Sequence, residues 1–130
     1  MAGRCIGLSI RKYQRSAAEH HAAFRARAGS EQIASPFAIA VLRATLERLE
    51  PTRVLEVGSG IGTMTYILTS FGCEVHEVED NAFCRAALRR NLPEWAVRRL
   101  SPGSGYLHQL IVVDGDQIRP NIALGLLASG

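Results

Sequence analysis

Lysine is nearly absent from this chain: Lys12 is the single one among 15 basic residues. The arginines that supply the rest are concentrated early, at Arg4, Arg11, Arg15, Arg25 and Arg27, and the formal net charge is only +3. A nucleic-acid footprint is denser in basic groups and interleaved with aromatics, which make up 6% here, so these side chains read as a solvated face. RNA is left as the less favoured partner. Cysteine is scarce too: Cys5, Cys73 and Cys84 are odd in number and form no C-x-x-C pair, which argues against a disulfide framework. Cys73 and His76 would be half of a metal site with no second half at usable spacing, so no metal is expected. No apolar stretch approaches the roughly 18 residues of a membrane span, and Met1-Ala2-Gly3-Arg4-Cys5 lacks a signal-peptide apolar region. A cytoplasmic location is the resulting expectation. There is no low-complexity run and no internal repeat; what remains is an ordinary globular composition, 47% hydrophobic and 21% charged. At 130 residues the chain is long enough for one core and short for a doubly wound enzyme.

The stretch that organises the rest is Arg53-Val54-Leu55-Glu56-Val57-Gly58-Ser59-Gly60-Ile61-Gly62-Thr63. An apolar strand-like run breaks into three glycines at alternate positions, and Met64 to Phe71 then reads as a helix. Glycine lets the backbone take positive φ and lets a ligand approach where a Cβ would block it, while the following helix offers unsatisfied N–H groups. A dinucleotide fingerprint is G-x-G-x-x-G; here the third glycine comes one residue sooner, and Glu56 stands two positions before Gly58. A tight loop with an acid nearby suits a ligand carrying cationic groups, such as S-adenosylmethionine with its ammonium and sulfonium, better than NAD.

Val54-Leu55-Glu56-Val57-Gly58-Ser59-Gly60-Ile61-Gly62 resembles motif I of the class I S-adenosylmethionine-dependent methyltransferases, and the resemblance extends over roughly residues 36–130. It implies a Rossmann-like α/β fold, a doubly wound, mostly parallel sheet of about four strands with flanking helices, in a short or C-terminally truncated form. Residues 1–34 would be an N-terminal helical extension or lid, and residues 35–130 the cofactor-binding domain. It also implies that Gly58, Ser59, Gly60 and Gly62 surround the methionine part of the cofactor and that Glu56 supports its ammonium.

Taken in order, residues 9–28 read as an amphipathic helix with Tyr13, Ala17, His21, Phe24 and Ala28 on one face. One of His20 and His21 is expected to pack and the other to be solvated, although both could reach a site beneath a lid. Ser35-Pro36 opens the next helix with an N-cap hydroxyl and a proline at its first position; Ala38, Val41, Leu42, Thr45, Leu46 and Leu49 form the expected buried stripe, and Pro51 ends it. After the glycine loop, Met64, Ile67, Leu68 and Phe71 point inward and Gly72 is the stop. A second strand, Cys73 to Glu79, ends in acid, and an acid roughly 20 residues past the glycines points at ribose hydroxyls. Glu79 is the first choice because Val78-Glu79-Asp80-Asn81 resembles the family's hydrophobic-Glu-x-Asp pattern; Asp80 is the second. Alternatively, Asp80 or Asn81 caps the following helix, residues 82–91, whose inward face is expected at Phe83, Ala86 and Ala87.

Trp95 to Leu100 occupies the place of a third strand, although Pro93-Glu94 could equally open a short helix. The connection from Ser101 to Tyr106 is six residues, against about a dozen for a normal parallel crossover, so the crossover is an extended loop or the third strand is degenerate. Leu110-Ile111-Val112-Val113 then reads as a strand buried on both faces with acids at its carboxyl end. The Val113-Asp114-Gly115-Asp116 ending resembles that of some metal-assisted small-molecule O-methyltransferases. Asp114 is assigned a substrate-side catalytic role, without a metal. Residues 122–127 are expected to form a last helix.

The implied function is transfer of a methyl group from S-adenosylmethionine to an oxygen or nitrogen of a small-molecule acceptor. The alternative is a catalytically incomplete cofactor- or partner-binding subunit, and a nicotinamide oxidoreductase is disfavoured by the glycine spacing. So apolar a strand as residues 110–113 needs cover, which predicts a homo-oligomer or a partner chain.

Overall fold

The computed structural model describes residues 15–101 and 108–113. Helix α1, Ala17–Arg25, opens on a capping box: the Ser16 hydroxyl accepts the Glu19 N–H at 3.1 Å, and the Glu19 carboxylate accepts the Ser16 N–H at 2.9 Å. That box sets the start of the helix and rotates its inward face. His20 and Phe24 are buried and Ala17 is half-buried, whereas the expected stripe ran through His21 and Ala28; the latter lies beyond the helix and is exposed. The chain reverses at Gly29, in the left-handed region at φ 87°, and makes a 3-10 turn, Ser30–Gln32.

Helix α2, Pro36–Leu49, begins as expected, with the Ser35 hydroxyl accepting the Ala38 N–H and proline in the first turn. Its buried stripe is Ile39, Leu42 and Leu46, with Ala38 at its edge. Val41 and Leu49, expected inside, are 48% and 56% exposed. Positions three and four apart share one helix face, and Ile39 fits the line through Leu42 and Leu46 while Val41 lies a quarter-turn or more away from it.

Strands β1, Arg53–Val57, β2, Glu74–Val78, and β3, Leu110–Val113, form a parallel sheet in the order β2-β1-β3, with Val54 opposite Val75 on one side and Leu110 on the other. Helix α3, Thr63–Ser70, links β1 to β2, and α4, Ala82–Asn91, follows β2. Val54 and Val75 meet Ile39, Leu42 and Leu46 of α2 and Ile67 and Leu68 of α3 in the main core. Each such buried aliphatic side chain contributes about 1.5–3 kcal/mol. Helix α4 turns Ala87 and Leu88 inward; Phe83 and Ala86, expected there, are exposed, Phe83 to 49%.

Trp95 to Leu100 is not a strand. Pro93 caps a short helix α5, Glu94–Val97, and only Leu100 reaches the sheet, in a single parallel bridge to Val75. Two hydrogen bonds make it: Val75 N–H donates to the Arg99 carbonyl at 2.9 Å and Ser101 N–H to the Val75 carbonyl at 2.7 Å. Pro93 stands at the N-cap in extended backbone, and Trp95, in the first turn that follows, packs edge-on against Tyr66 at 5.9 Å instead of lying in a strand. The spatial order bridge-β2-β1-β3 is that of a doubly wound sheet with one member reduced to a bridge. The sheet thus has three strands among the described residues, where about four were expected. Asp114, Asp116, the expected last helix over residues 122–127 and most of the Ser101 to Tyr106 connection lie outside the described residues.

Candidate functional site

In an open parallel sheet, ligands bind beyond the carboxyl ends of the strands. There the structure has a cleft of about 790 Å³, walled by the glycine loop between β1 and α3, by the β2–α4 turn, by Val112 and Val113 of β3, and by residues 29–35. Its volume falls in the range of small-ligand sites.

The loop is built from glycines at φ 81° (Gly58), 57° (Gly60) and 101° (Gly62). Such a backbone is intrinsically free, so it needs restraints from outside. The Val78 carbonyl accepts the N–H groups of Gly58 at 2.8 Å and Ser59 at 3.4 Å. Glu79 accepts the Gly60 N–H at 2.7 Å on one carboxylate oxygen and the Asn81 N–H at 3.0 Å on the other. Asn91 of α4 donates to the Ile61 carbonyl at 2.8 Å. A Cβ on Gly60 would meet nothing within 4 Å, so the space beside that residue is open to a ligand.

Ser59 and Thr63 both line the cleft, each is 3% exposed, and neither hydroxyl has a hydrogen-bond partner among the described residues. A buried polar group without a partner is costly, about 1–3 kcal/mol, and is a place where a ligand atom is wanted. Thr63 also begins α3, whose first-turn amides have no intrahelical acceptors. The charged side chains on the described lining are Glu31 and Glu79, with no arginine or lysine.

Of the residues singled out in the sequence, Gly58, Ser59, Gly60 and Glu79 line this cleft; Gly62 stands just behind, at the N-cap of α3. Glu56 does not line it. Its side chain is fully buried on the face toward α3, where Thr65 donates a 2.5 Å hydrogen bond to its carboxyl group. Asp80 is exposed, and its carbonyl, like that of Glu79, accepts from Arg85, at 2.7 and 2.9 Å. Asn81 takes the capping role, its side chain accepting the Cys84 N–H at 3.1 Å. Asp114 follows β3 in sequence but lies outside the described residues.

Sequence reasoning passed over Thr63 and left open which of His20 and His21 packs. His20 is fully buried, and its Nε2–H donates to the Thr63 carbonyl at 2.8 Å. Burial, followed by the nearby guanidinium groups of Arg15, Arg43 and Arg27 and opposed by the bond to Thr63, pushes its pKa down to about 4, so the ring is neutral at pH 7. Cys84, on the cleft wall, has its thiol pKa raised by burial and by Glu79 and Glu31. It is not a ready nucleophile.

No protein-family model matches the chain. Among curated proteins it is similar to the protein-L-isoaspartate O-methyltransferases of Bordetella avium, at 36% identity over 95 residues, and of Bordetella petrii, at 43% over 51 residues. Those alignments cover 72% and 38% of this chain but 33% and 19% of the relatives, so the chain spans a third or less of the proteins it matches. Among solved structures, a provisionally named O-methyltransferase from Klebsiella pneumoniae superimposes with a TM-score of 0.60 at 19% identity, over 94% of this chain and 58% of that one. The glycopeptide N-methyltransferase MtfA gives 0.53 at 23%, over 70% and 50%. These likenesses carry the fold.

Proposed function

On the premise that this is a short Rossmann-like domain of the class I methyltransferase type, we propose that it binds S-adenosylmethionine in the cleft and presents its methyl group to an acceptor. The observation that carries this reading is the composition of the cleft: three left-handed glycines, two buried hydroxyls without partners, and acids as the charged groups of its described lining. Acids suit the ammonium and sulfonium of that cofactor and oppose a pyrophosphate or an RNA backbone.

In this reading the Ser59 and Thr63 hydroxyls and the first-turn amides of α3 receive the carboxylate of the methionine part, because they are donors in need of an acceptor. Glu79 keeps its two loop bonds and still has lone pairs for a ribose hydroxyl. Glu56 supports the site from beneath, through Thr65. When bound, the cofactor supplies an already activated sulfonium methyl. The chain's own contribution is then to position the reactants and exclude water. No nucleophilic triad is needed.

Asp114 is proposed to orient or deprotonate the acceptor, an oxygen or nitrogen of a small molecule. The Bordetella relatives are named for methylating L-isoaspartate, which makes a carboxylate oxygen of an isoaspartyl residue the first peptide acceptor to try. The outer edge of β3 pairs with no other described strand, and self-association is proposed to cover it; a strictly monomeric scattering mass at tens of micromolar would reject that.

The test is a thermal melt with and without S-adenosylmethionine, with NAD as control. At about 100 times the dissociation constant, binding adds roughly 2.7 kcal/mol, which raises the midpoint of a domain of this size by about 10 °C. A cooperative melt that S-adenosylmethionine does not move would reject the reading.

A further inference from the structure

The restraints on the glycine loop come from two sides. Val78 and Glu79 hold it from β2 and the turn after it. The remainder come from the last residue of α4, Asn91, and from the segment preceding α2, which reaches the loop directly through His20 and indirectly through Arg27. His20 of α1 donates to the Thr63 carbonyl at 2.8 Å. Just past the same helix, Arg27 donates to Asn91 Oδ1 at 2.9 Å, and Asn91 Nδ2 donates onward to the Ile61 carbonyl at 2.8 Å. The two tethered carbonyls flank Gly62, the residue at φ 101° where the loop becomes helix.

In a trans peptide the carbonyl and the next N–H lie in one plane and point opposite ways. Fixing the Thr63 carbonyl therefore fixes the Met64 N–H, and fixing the Ile61 carbonyl fixes the Gly62 N–H, which donates to the Ser59 carbonyl at 3.1 Å. Packing reinforces the tethers. His20 lies against Phe24 and Tyr66 at ring separations of 4.9 and 5.4 Å, and Phe24 and Ile61 are buried in one cluster. Gly29 approaches so closely that a Cβ there would stand 2.7 Å from the Phe83 ring and 3.0 Å from an Ile61 methyl.

We propose that His20, and Arg27 acting through Asn91, are positioning residues for the cofactor loop, so that α1 is a fixed buttress of the binding site and its docking is thermodynamically coupled to occupancy of the cleft. The inference rests on the cofactor reading above for the identity of the ligand, but the loop restraint itself can be read without any ligand. A loop of three positive-φ glycines has many accessible conformations, and holding it in one of them in advance is what makes binding to it tight. The donor is the essential chemistry of His20, not its charge, because the ring is neutral.

The test uses the full chain and the variants His20→Phe, which keeps an aromatic volume and loses the donor, and His20→Gln, which keeps a donor. Amide hydrogen exchange is followed over residues 60–66 in the free protein, and S-adenosylmethionine affinity is measured by calorimetry. The expected result is faster exchange of those amides in His20→Phe with the β1 and β2 amides unchanged, an affinity loss of about 10-fold or more, and substantial recovery of both in His20→Gln. Asn91→Ala, which breaks the second tether, gives the same local signature and replaces His20→Phe should that variant not fold. Unchanged exchange in His20→Phe and Asn91→Ala, or equal losses in the Phe and Gln variants, would overturn the inference. A wild-type chain that binds no S-adenosylmethionine would overturn the cofactor reading instead, leaving the exchange measurement to decide the loop restraint.

Discussion

The carboxylate of Glu79 holds the amide of Gly60 at 2.7 Å across a separation of 19 residues, so the acid at the end of β2 is a strut of the glycine loop before it is a ligand for anything. Glu79 is 9% exposed and accepts a second amide, from Asn81. Structure and ligand recognition therefore meet in one side chain.

Replacing Glu79 with Ala strands two backbone donors and is expected to destabilise the ligand-free chain by about 1–3 kcal/mol, besides weakening cofactor binding. At roughly 3–5 °C per kcal/mol for this size, the melting midpoint falls by about 3–15 °C. An unshifted midpoint together with weaker binding would mean that the strut is dispensable and only the ligand contact counts.

His20 makes stability depend on pH in the acid range. Its native pKa of about 4 lies below the ordinary value of 6.5, so the unfolded chain binds a proton that the native chain refuses. Stability from this group is full above about pH 6.5 and is lost as pH falls through about 4, amounting to about 3 kcal/mol. His108, also pushed down by burial, acts in the same sense, while Glu77, pushed up by burial, acts in the opposite sense. The contribution of His20 is isolated by comparing denaturant midpoints of wild type and His20→Gln between pH 4.5 and 7: the steeper fall in wild type is the expected outcome, and parallel curves would contradict it.

Gly29→Ala combines a left-handed backbone, φ 87°, with a methyl 2.7 Å from Phe83 and 3.0 Å from Ile61. The backbone alone costs about 1–2 kcal/mol. Phe83 is half-exposed and can swing away, but Ile61 is buried in the loop, so the strain reaches the cleft. The expected result is a lower melting midpoint for Gly29→Ala than for Gly60→Ala, which shares the left-handed backbone cost at φ 57° but whose added Cβ meets nothing within 4 Å in the free chain. The reverse order would show that residues 29–35 do not press on the loop.

Cys73 is fully buried, its thiol donates to the Pro51 carbonyl at 3.3 Å, and burial pushes its pKa up to about 12. It should resist alkylation at pH 8 in the native chain and react only on unfolding, while half-exposed Cys84 reacts slowly. Mass mapping of the alkylated sites checks both, and rapid native labelling of Cys73 would be the contrary result.

What the sequence determined by itself is the part written in local rules. Three glycines at alternate positions after an apolar strand need left-handed φ, Ser35-Pro36 starts a helix, and Asp80 or Asn81 can cap one, a role that Asn81 takes. Each follows from the conformational limits of a few adjacent residues, and each stands in the structure as expected. The parallel α/β class is what the resemblance of Val54 to Gly62 to a known motif implies, and the parallel sheet agrees with it. The tertiary structure decided which faces turn inward and which distant groups meet. Each residue rotates a helix face by 100°, so periodicity alone left His21 in the place that His20 takes, one residue away, and Val41 in that of Ile39, two residues away. Trp95 to Leu100 had strand-like composition, but Pro93 and the edge contact with Tyr66 favoured a helical turn, leaving one bridge to the sheet. The bond from His20 to Thr63 spans 43 residues, and no local preference encodes it. It forms because a buried ring N–H and a buried carbonyl each lose water on folding and find each other in the same place.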